Sequence, residues 1–297
     1  RNLASAITSL LTGYAYQTSV ELAQVLGTFE EHQKNQDCML KVIRMHQDAL
    51  DQVGGNPVAD PILAASEEAW EQALQAGSQY GFRNAQVTLL APTGTIGFMM
   101  DCDTTGVEPD IALVKYKQLA GGGMIKLVNQ SVGSGLKRVG YSDREIESIV
   151  KYVNEKETIE GAPGLKAEHL PVFDCAFKAK EGKRCISYHA HLKMMSAVQP
   201  FLSGAISKTI NMPKEATIDE IMQAYMDGWR MGLKAIAIYR DGSKRTQPLN
   251  TSKDAGERKG ERETAGGGSA STRVLRQRMA ATRQSITHKF EVAGHEG

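Results

Sequence analysis

Hydrophobic residues recur at helical spacing through the first part of the chain. One run extends from Leu3 to Val25 and closes at Gly27, and a second extends from Met39 to Leu50 and continues up to Gly54. A third segment begins at Asp60, which we expect to be an N-cap, with Pro61 at the first helical position, and continues to about Tyr80. The pattern therefore predicts three successive helices.

The rest of the pattern alternates helices with short strands. Residues 85–91 form a strand-like apolar run, and residues 234–239 form another. Between them, Ser142 and Thr217 each precede a glutamate by three residues, which is the signature of a capping box at a helix start. The helix after Thr217 is expected to end at Gly232. This order of elements predicts an α/β fold.

The first predicted strand leads directly into a turn rich in glycine and threonine, which is the candidate binding site. Its residues are Pro92, Thr93, Gly94, Thr95 and Ile96. Such a turn lets backbone N–H groups converge on one point, an arrangement that holds a phosphate. Proline and glycine after a strand are also ordinary turn residues, and no Gly-Lys-Ser/Thr of a Walker loop is present. We expect a phosphorylated ligand, with Gly94 required for the conformation of the turn.

Composition excludes several other classes of protein. The 297 residues are 41% hydrophobic and 23% charged, with a formal net charge of +1, which is ordinary globular composition without a general attraction to nucleic acid. No apolar run approaches the roughly 20 residues of a membrane span, and no signal-type segment is present. We expect a soluble cytoplasmic protein with no nucleic acid or membrane partner.

Cysteine and histidine spacing predicts no metal site and no disulfide framework. Cys102 lies between two aspartates that disfavour its thiolate, so we expect it to line a cavity rather than act as a nucleophile. His189 and His191 are two residues apart and so fall on different faces of the helix that Ser187 begins. Most of the four cysteines are expected to be buried small apolar residues: Cys38, Cys102, Cys175 and Cys185.

Composition also divides the chain into three parts. Residues 1–248 have a globular pattern, residues 249–272 are expected to be a flexible linker, and residues 273–297 form a basic segment leading into the start of a truncated small domain. The basic segment lacks interleaved aromatic residues and is expected to be a solvated tether. The absence of an initial methionine and the strand-like end suggest a fragment of a longer protein.

Several blocks of sequence resemble one family, the class II, adenosylcobalamin-dependent ribonucleotide reductase large subunit. The resemblance covers roughly residues 1–248, and the blocks follow the family's order: 92–96, 101–109, 119–123, 199–213 and 233–244. It implies the C-terminal half of a ten-stranded α/β barrel, followed by a disordered linker. In this family the turn at Pro92–Ile96 grips the phosphates of a ribonucleoside di- or triphosphate.

The resemblance also implies thiyl-radical chemistry with adenosylcobalamin, a thioredoxin-type reductant and a homodimer. The family's radical cysteine lies in an Asn-Pro-Cys-Ser-Glu loop, which does not occur here, so no catalytic residue is assigned. Residues 101–109 and 121–123 are candidates for cobalamin contact by sequence proximity alone. Glu108 is either a pocket residue or an ordinary turn residue.

Two alternatives remain open at this point. A glycyl-radical reductase would share the barrel, but it needs a radical glycine near its C-terminus, where this chain has a linker and a basic tail. A non-catalytic nucleotide- or phosphate-binding module would use the same turn without any radical chemistry.

Overall fold

A computed structural model describes residues 1–118, 124–179, 181–243, 249–250, 291–292 and 295–296. The chain divides into two compact units, Arg1–Glu257 and Arg258–Gly297, and this division falls within the predicted linker. The described part of the second unit is an antiparallel pair of two-residue strands. Most of residues 249–297, including the predicted disordered linker and basic segment, lies outside the described residues.

Helices dominate the first unit. The described α-helices are α1 (Asn2–Leu26), α2 (His32–Asp48), α3 (Asp60–Tyr80), α4 (Gly94–Met99), α5 (Ser131–Arg138), α6 (Asp143–Lys156), α7 (Tyr188–Val198) and α8 (Ile218–Arg230). The strands are β1 (Val114–Gln118), β2 (Met124–Val128), β3 (Thr209–Met212), β4 (Ala237–Arg240), β5 (Leu249–Asn250), β6 (Glu291–Val292) and β7 (His295–Glu296). Short 3-10 helices occupy Ala49–Gln52, Ala167–Phe173 and Gln199–Phe201. No described helix has the length and apolar character needed to cross a bilayer.

The three predicted N-terminal helices are confirmed as α1, α2 and α3, which share one hydrophobic core. Tyr16, Ile43 and Trp70 are fully buried there, one from each helix. The start of α3 differs by one residue from the prediction, because Asp60 is its first residue and makes no cap bond. The Asn56 side chain accepts the hydrogen bond of the Ala59 amide instead, at 3.0 Å.

The buried face of α1 is not the face that its large apolar residues predict. Tyr16 and Val20 are buried, but most of the large apolar residues of the predicted run are exposed, and Val25 is 82% exposed. The face against α3 carries small and hydroxyl residues. Ser9 and Ser66 share a hydrogen bond of 2.6 Å, and the Trp70 indole N–H donates to Ser9 at 2.9 Å. Since Gly13 would place a Cβ only 3.1 Å from Ala69, small residues let the two helices approach closely.

The candidate site lies next to parallel strands. β3 and β4 pair in parallel, with Ile210 opposite Ile238. The predicted strand at residues 85–91 is extended, but within it only Leu90 forms a bridge, parallel to Ile206. Its neighbouring amides, at residues 87–88, donate to the Ser203 side chain rather than to a strand carbonyl. The strand predicted over residues 85–91 was therefore too long.

A second sheet was not predicted from the sequence. β1 pairs antiparallel with β2 and also with β5, giving the order β2-β1-β5. Helices α5 and α6 pack on this sheet through a separate core that includes Val114, Leu136 and Ile149. Short amphipathic elements of this kind give weak sequence signals, since a five-residue strand contains too few positions for a clear period.

The remaining local predictions agree well with the structure. Both capping boxes are present, at Ser142 before α6 and at Thr217 before α8, and Ser187 is the N-cap of α7. The predicted strand at residues 234–239 is confirmed in its second half as β4. The described residues form mixed helices and strands without a closed barrel, so the ten-strand expectation stays a prediction.

Candidate functional site

In the segment Pro92–Ile96, Pro92 and Thr93 form the turn that follows residues 85–91, and Gly94, Thr95 and Ile96 are the first residues of the short helix α4, which was not predicted from the sequence. All five residues of the segment are exposed. Thr93 has φ of 49°, in the left-handed region that a β-branched residue rarely adopts. Backbone strain of this kind concentrates at functional sites, since it persists only where surrounding structure holds it in place.

The amide groups of the turn point away from protein acceptors. Within the described part of the chain, the N–H groups of Gly94, Thr95 and Ile96 have no hydrogen-bond partner. The turn is nevertheless braced, because the Gly97 amide donates to the Thr93 carbonyl at 2.8 Å and the Thr105 hydroxyl donates to the Pro92 carbonyl. Free amides on a braced turn are what an anion site requires.

The glycines of this region have different roles from those predicted. Gly94 does not have a positive φ, and a Cβ placed there would meet no atom within 4 Å, so the conformation of the turn does not depend on it. The left-handed residue is Thr93 instead. Gly97 is the sterically required glycine, since its Cβ would lie 2.1 Å from Cγ2 of Thr105.

A cavity of about 210 Å³ opens beside the turn. Its walls come from the turn, from the loop at residues 102–111 and from the inward face of β3. Cys102 lines it, as predicted, and its thiol makes only a weak 3.8 Å contact with the Met100 carbonyl. The lining residues are Pro92, Gly94, Cys102, Asp103, Thr104, Thr105, Glu108, Pro109, Asp110, Ile111, Lys115, Thr209 and Asn211.

Glu108 fixes one side of the loop wall. Its carboxylate accepts hydrogen bonds from the Lys208 ammonium at 2.8 Å and from the Thr209 amide at 2.7 Å, and so joins the loop to β3. The Lys208 side chain is only 1% exposed. Of the two alternatives left open by the sequence, the pocket residue is the one that the geometry supports.

Asp110 fixes the other side of the same wall. Its two oxygens accept hydrogen bonds from the Lys115 ammonium at 2.6 Å and from the Asn129 amide at 2.7 Å, and all three residues are buried. Lys115 also donates to the Asp103 carbonyl at 3.1 Å. Because each lysine faces a carboxylate, the buried charges of the wall are balanced.

Burial sets the protonation of the groups around Lys208. The pKa of Lys208 is lowered by desolvation, and the hydrogen bond to Glu108 opposes this. The pKa of His191 is lowered to about 4, first by burial and then by the nearby Lys208 charge. His191 is therefore neutral near pH 7, and its Nδ1 accepts the Lys208 hydrogen bond at 2.8 Å.

Asp103 organises the far end of the loop. Its carboxylate accepts from the amides of Gln130 and Ser131, both at 3.0 Å, at the N-terminal end of α5. A carboxylate is favourable at this position because it satisfies orphan N–H groups and complements the helix dipole. The preceding Asp101 has φ of 56°, which aspartate tolerates better than most residues.

The other candidate residues do not form a catalytic or metal centre. Cys175 is buried and its pKa is raised to about 12, chiefly by burial and next by Asp110, so its thiol is inert. Of the four cysteines, only Cys175 is buried, since Cys38 and Cys102 are exposed and Cys185 is half-buried, so the expectation that most of them are buried was wrong. His189 faces Asp227 at 3.3 Å, whereas His191 is buried, so the two histidines lie on different faces as predicted. No cluster of potential metal ligands occurs among the described residues.

Sequence reasoning missed the polar residues that build the cavity wall. Asp110 and Lys115 lay outside every motif, and Lys208 and Asn211 lay in the block 199–213 without an assigned role; they come together only because the loop folds back onto β3 and β1. The alternation in β3 gave a weak signal, since Thr209 and Asn211 lie on the face opposite Ile210 and Met212.

A turn beyond the carboxyl end of a parallel strand, beside a cavity and with helices packed behind, is the site architecture of α/β proteins that bind their ligands at strand ends. Sequence comparison identifies the family. The family described as ribonucleotide reductase, barrel domain, matches residues 1–239. The chain belongs to this family.

Related proteins agree with this assignment. A vitamin B12-dependent ribonucleotide reductase of Rhodopirellula baltica is 57% identical over 300 residues, covering 100% of this chain and 29% of that protein. Proteins with the same name from Streptantibioticus cattleyicolor and Streptomyces clavuligerus are 50% and 45% identical, again over 100% of this chain. The chain spans 49% and 31% of those two relatives.

Proposed function

We propose that the polypeptide containing this chain reduces ribonucleotides to 2′-deoxyribonucleotides with adenosylcobalamin, and that this chain supplies the phosphate-binding side of the substrate pocket. The observation that carries the proposal is the exposed turn, whose amides have no protein acceptor among the described residues, opening onto a cavity in a reductase-family chain. The names of the relatives support the cofactor and the reaction.

In this proposal, Pro92, Thr93, Gly94, Thr95 and Ile96 hold the phosphates of a ribonucleoside di- or triphosphate. The N–H groups of residues 94–96 donate to phosphate oxygens, and the two threonine hydroxyls add further donors. Hydrogen bonds to a charged oxygen are worth about 1.5–3 kcal/mol each. Two or three of them are enough to fix the anionic end of a nucleotide.

The described residues do not by themselves enclose adenosylcobalamin. Glu108 lines two cavities, of about 210 and 350 Å³, and both are open to solvent. Of residues 101–109, Glu108 and Pro109 line both cavities and Asp101 lines neither, and residues 121–123 lie outside the described residues. When bound to the complete polypeptide, the cofactor supplies the radical that starts the reaction, and we assign no contact to it here.

The complete polypeptide is also where the proposal places the radical cysteine, the thioredoxin-type reductant, the homodimeric assembly and the cytoplasmic location. None of the four cysteines of this chain is assigned to catalysis. The alternative function, a non-catalytic phosphate-binding module, is distinguished by incubating the complete polypeptide with adenosylcobalamin, reductant and nucleotide, since only a reductase yields deoxynucleotide. We expect no deoxynucleotide from this chain alone, and turnover by it would contradict the division of roles proposed here.

The phosphate role is tested with Gly94→Val. Because Gly94 has no positive φ and no atom within 4 Å of where its Cβ would lie, the substitution leaves the turn intact and places a side chain where the phosphate approaches. We expect pyrophosphate affinity, measured by calorimetry, to fall at least about 10-fold, the equivalent of one charge-assisted hydrogen bond. Circular dichroism and thermal melting should stay close to wild type.

Gly133→Val is the matched control. Gly133 lies in α5, outside the cavity, and its Cβ would make an ordinary 3.7 Å contact with Ile146. It should retain pyrophosphate binding. Equal affinity of wild type and Gly94→Val would remove the phosphate role of the turn.

A further inference from the structure

Asn211 is a buried polar residue of the cavity without a partner. It lies in β3 and is only 7% exposed. Neither its amide nitrogen nor its carbonyl oxygen forms a hydrogen bond within the described part of the chain. Both atoms nevertheless retain contact with open space, since neither is among the fully enclosed unpaired side-chain atoms. Because the residue lines the 210 Å³ cavity, its carboxamide faces that space.

A buried carboxamide without partners is costly unless something occupies the space that it faces. An unpaired buried polar group costs about 1–3 kcal/mol. The other buried polar residues of this wall, Asp110 and Lys115, are paired with each other, and the half-buried Glu108 is joined to Lys208, whereas the lining hydroxyls of Thr104 and Thr209 are not buried. Asn211 therefore stands out as a group left open for a ligand.

The chemistry of the carboxamide indicates which part of a ligand it meets. An amide offers both a donor and an acceptor, and a hydroxyl group uses both, whereas a phosphate accepts only. The wall beside Asn211 carries balanced charges, so it provides no net attraction for an anion. The turn at residues 92–96 supplies the anion-binding donors at another edge of the same cavity.

We propose that Asn211 recognises a sugar hydroxyl of the phosphorylated ligand and so selects ribonucleotides over ligands that offer phosphate alone. This inference rests on the proposed phosphate role of the turn and extends it to the rest of the cavity. Asn211 is a binding and specificity residue in this scheme, and no bond is made or broken at it.

The test compares two probes, inorganic pyrophosphate and a ribonucleoside diphosphate, by calorimetry on the purified 297-residue chain. For Asn211→Ala we expect ribonucleoside diphosphate affinity to fall about 5–10-fold, the effect of one neutral hydrogen bond, with pyrophosphate affinity unchanged. A 2′,3′-dideoxy analogue should bind wild type and Asn211→Ala equally, since it has no hydroxyl to lose.

Controls separate the possible failures. Asn154→Ala, in α6 and away from the cavity, should bind both probes like wild type. Asn211→Asp keeps the size of the side chain but loses the donor and adds a charge, so it should also weaken the ribonucleotide, and its melting temperature reports on folding. If pyrophosphate binds but Asn211→Ala changes neither probe, or both equally, the role of Asn211 is wrong. If wild type binds neither probe, the phosphate proposal itself fails, and this inference fails with it.

Discussion

At the level of single residues, Glu108 is expected to stabilise the folded protein, because its carboxylate pairs with the buried ammonium group of Lys208. Among the described residues, Glu108→Ala would leave the Lys208 side chain, 1% exposed, with His191 and the Thr209 carbonyl as its remaining partners. Removing one partner of a buried pair costs about 3–5 kcal/mol. We expect a loss of this size in the free energy of unfolding measured with urea.

The exposed pair of Glu31 and Lys34 provides the control for that measurement. Their side chains are 55% and 76% exposed, so Glu31→Ala should cost about 1 kcal/mol or less. The loss in Glu108→Ala should shrink at alkaline pH, since the pKa of Lys208 is already lowered by burial and the neutral amine tolerates the site. Equal losses in the two variants would contradict the view that the cavity wall depends on this pair.

His191 should make the protein sensitive to mild acid. Its pKa is about 4 in the folded protein and near 6.5 when unfolded, so the unfolded chain binds more protons between these values and stability falls as pH decreases from 6.5 towards 4. Between pH 7.5 and pH 5 this amounts to about 2 kcal/mol. His191→Gln should therefore lose about that much less stability than wild type over the same interval.

The difference in pH dependence between wild type and His191→Gln reports on His191, because other buried histidines, such as His46, are present in both proteins. His189→Gln is the matched control, because that side chain is 48% exposed and lies two residues away on the other face of α7. Urea unfolding at the two pH values measures the difference. Parallel pH dependences of wild type and His191→Gln would show that His191 is not the group that titrates.

At the level of elements, the capping box that begins helix α8 was predicted correctly from the sequence. The Glu220 amide donates to the Thr217 hydroxyl at 3.2 Å, and the Glu220 carboxylate accepts from the Thr217 amide at 2.8 Å. Thr217→Ala should lower the free energy of unfolding by about 1 kcal/mol, whereas Thr217→Ser should restore most of it, because serine is an equivalent N-cap. A loss in both variants would indicate that the methyl group, not the cap, matters.

The elements that were predicted correctly are those whose sequence signal lies within the element itself. The capping boxes and the presence of the first three helices depend on residues within one or two turns of chain, and these were predicted correctly. The inner face of α1 was missed because Ser9 and Gly13 are favourable there only through their contacts with α3. Residues that contact each other but lie far apart in sequence leave no local pattern.

The same reasoning explains what was predictable of the candidate site. The turn could be located from its own residues, although the left-handed position proved to be Thr93 rather than Gly94. The wall could not be located, because Glu108 meets Lys208 across 100 residues of chain, and only the tertiary fold brings them together. Asn211 was likewise recognisable only once the cavity that it faces was known.

At the level of the whole molecule, α8 leaves a continuous apolar stripe in solvent. The residues at helical spacing on this stripe are Ile218, Met222, Tyr225, Met226 and Trp229, and each is at least 45% exposed. The buried side of α8 is formed by the small residues Ala224 and Gly228. Monomeric proteins rarely expose such a contiguous apolar stripe. The curated relatives are much longer than this chain, which covers 29% of the Rhodopirellula baltica protein.

The two tryptophans of the chain test this exposure directly. Trp229 is 73% exposed, whereas Trp70 is fully buried in the core between α1 and α3. In the purified chain we expect red-shifted emission that iodide quenches, and Trp229→Phe should remove that component and leave the blue-shifted, protected emission of Trp70. The substitution should not alter the urea midpoint, because an exposed aromatic side chain contributes little to the core. If the component lost in Trp229→Phe is itself blue-shifted and protected from iodide, the stripe on α8 is covered in the isolated chain. Self-association would then be the first explanation to examine, through the protein-concentration dependence of the quenching.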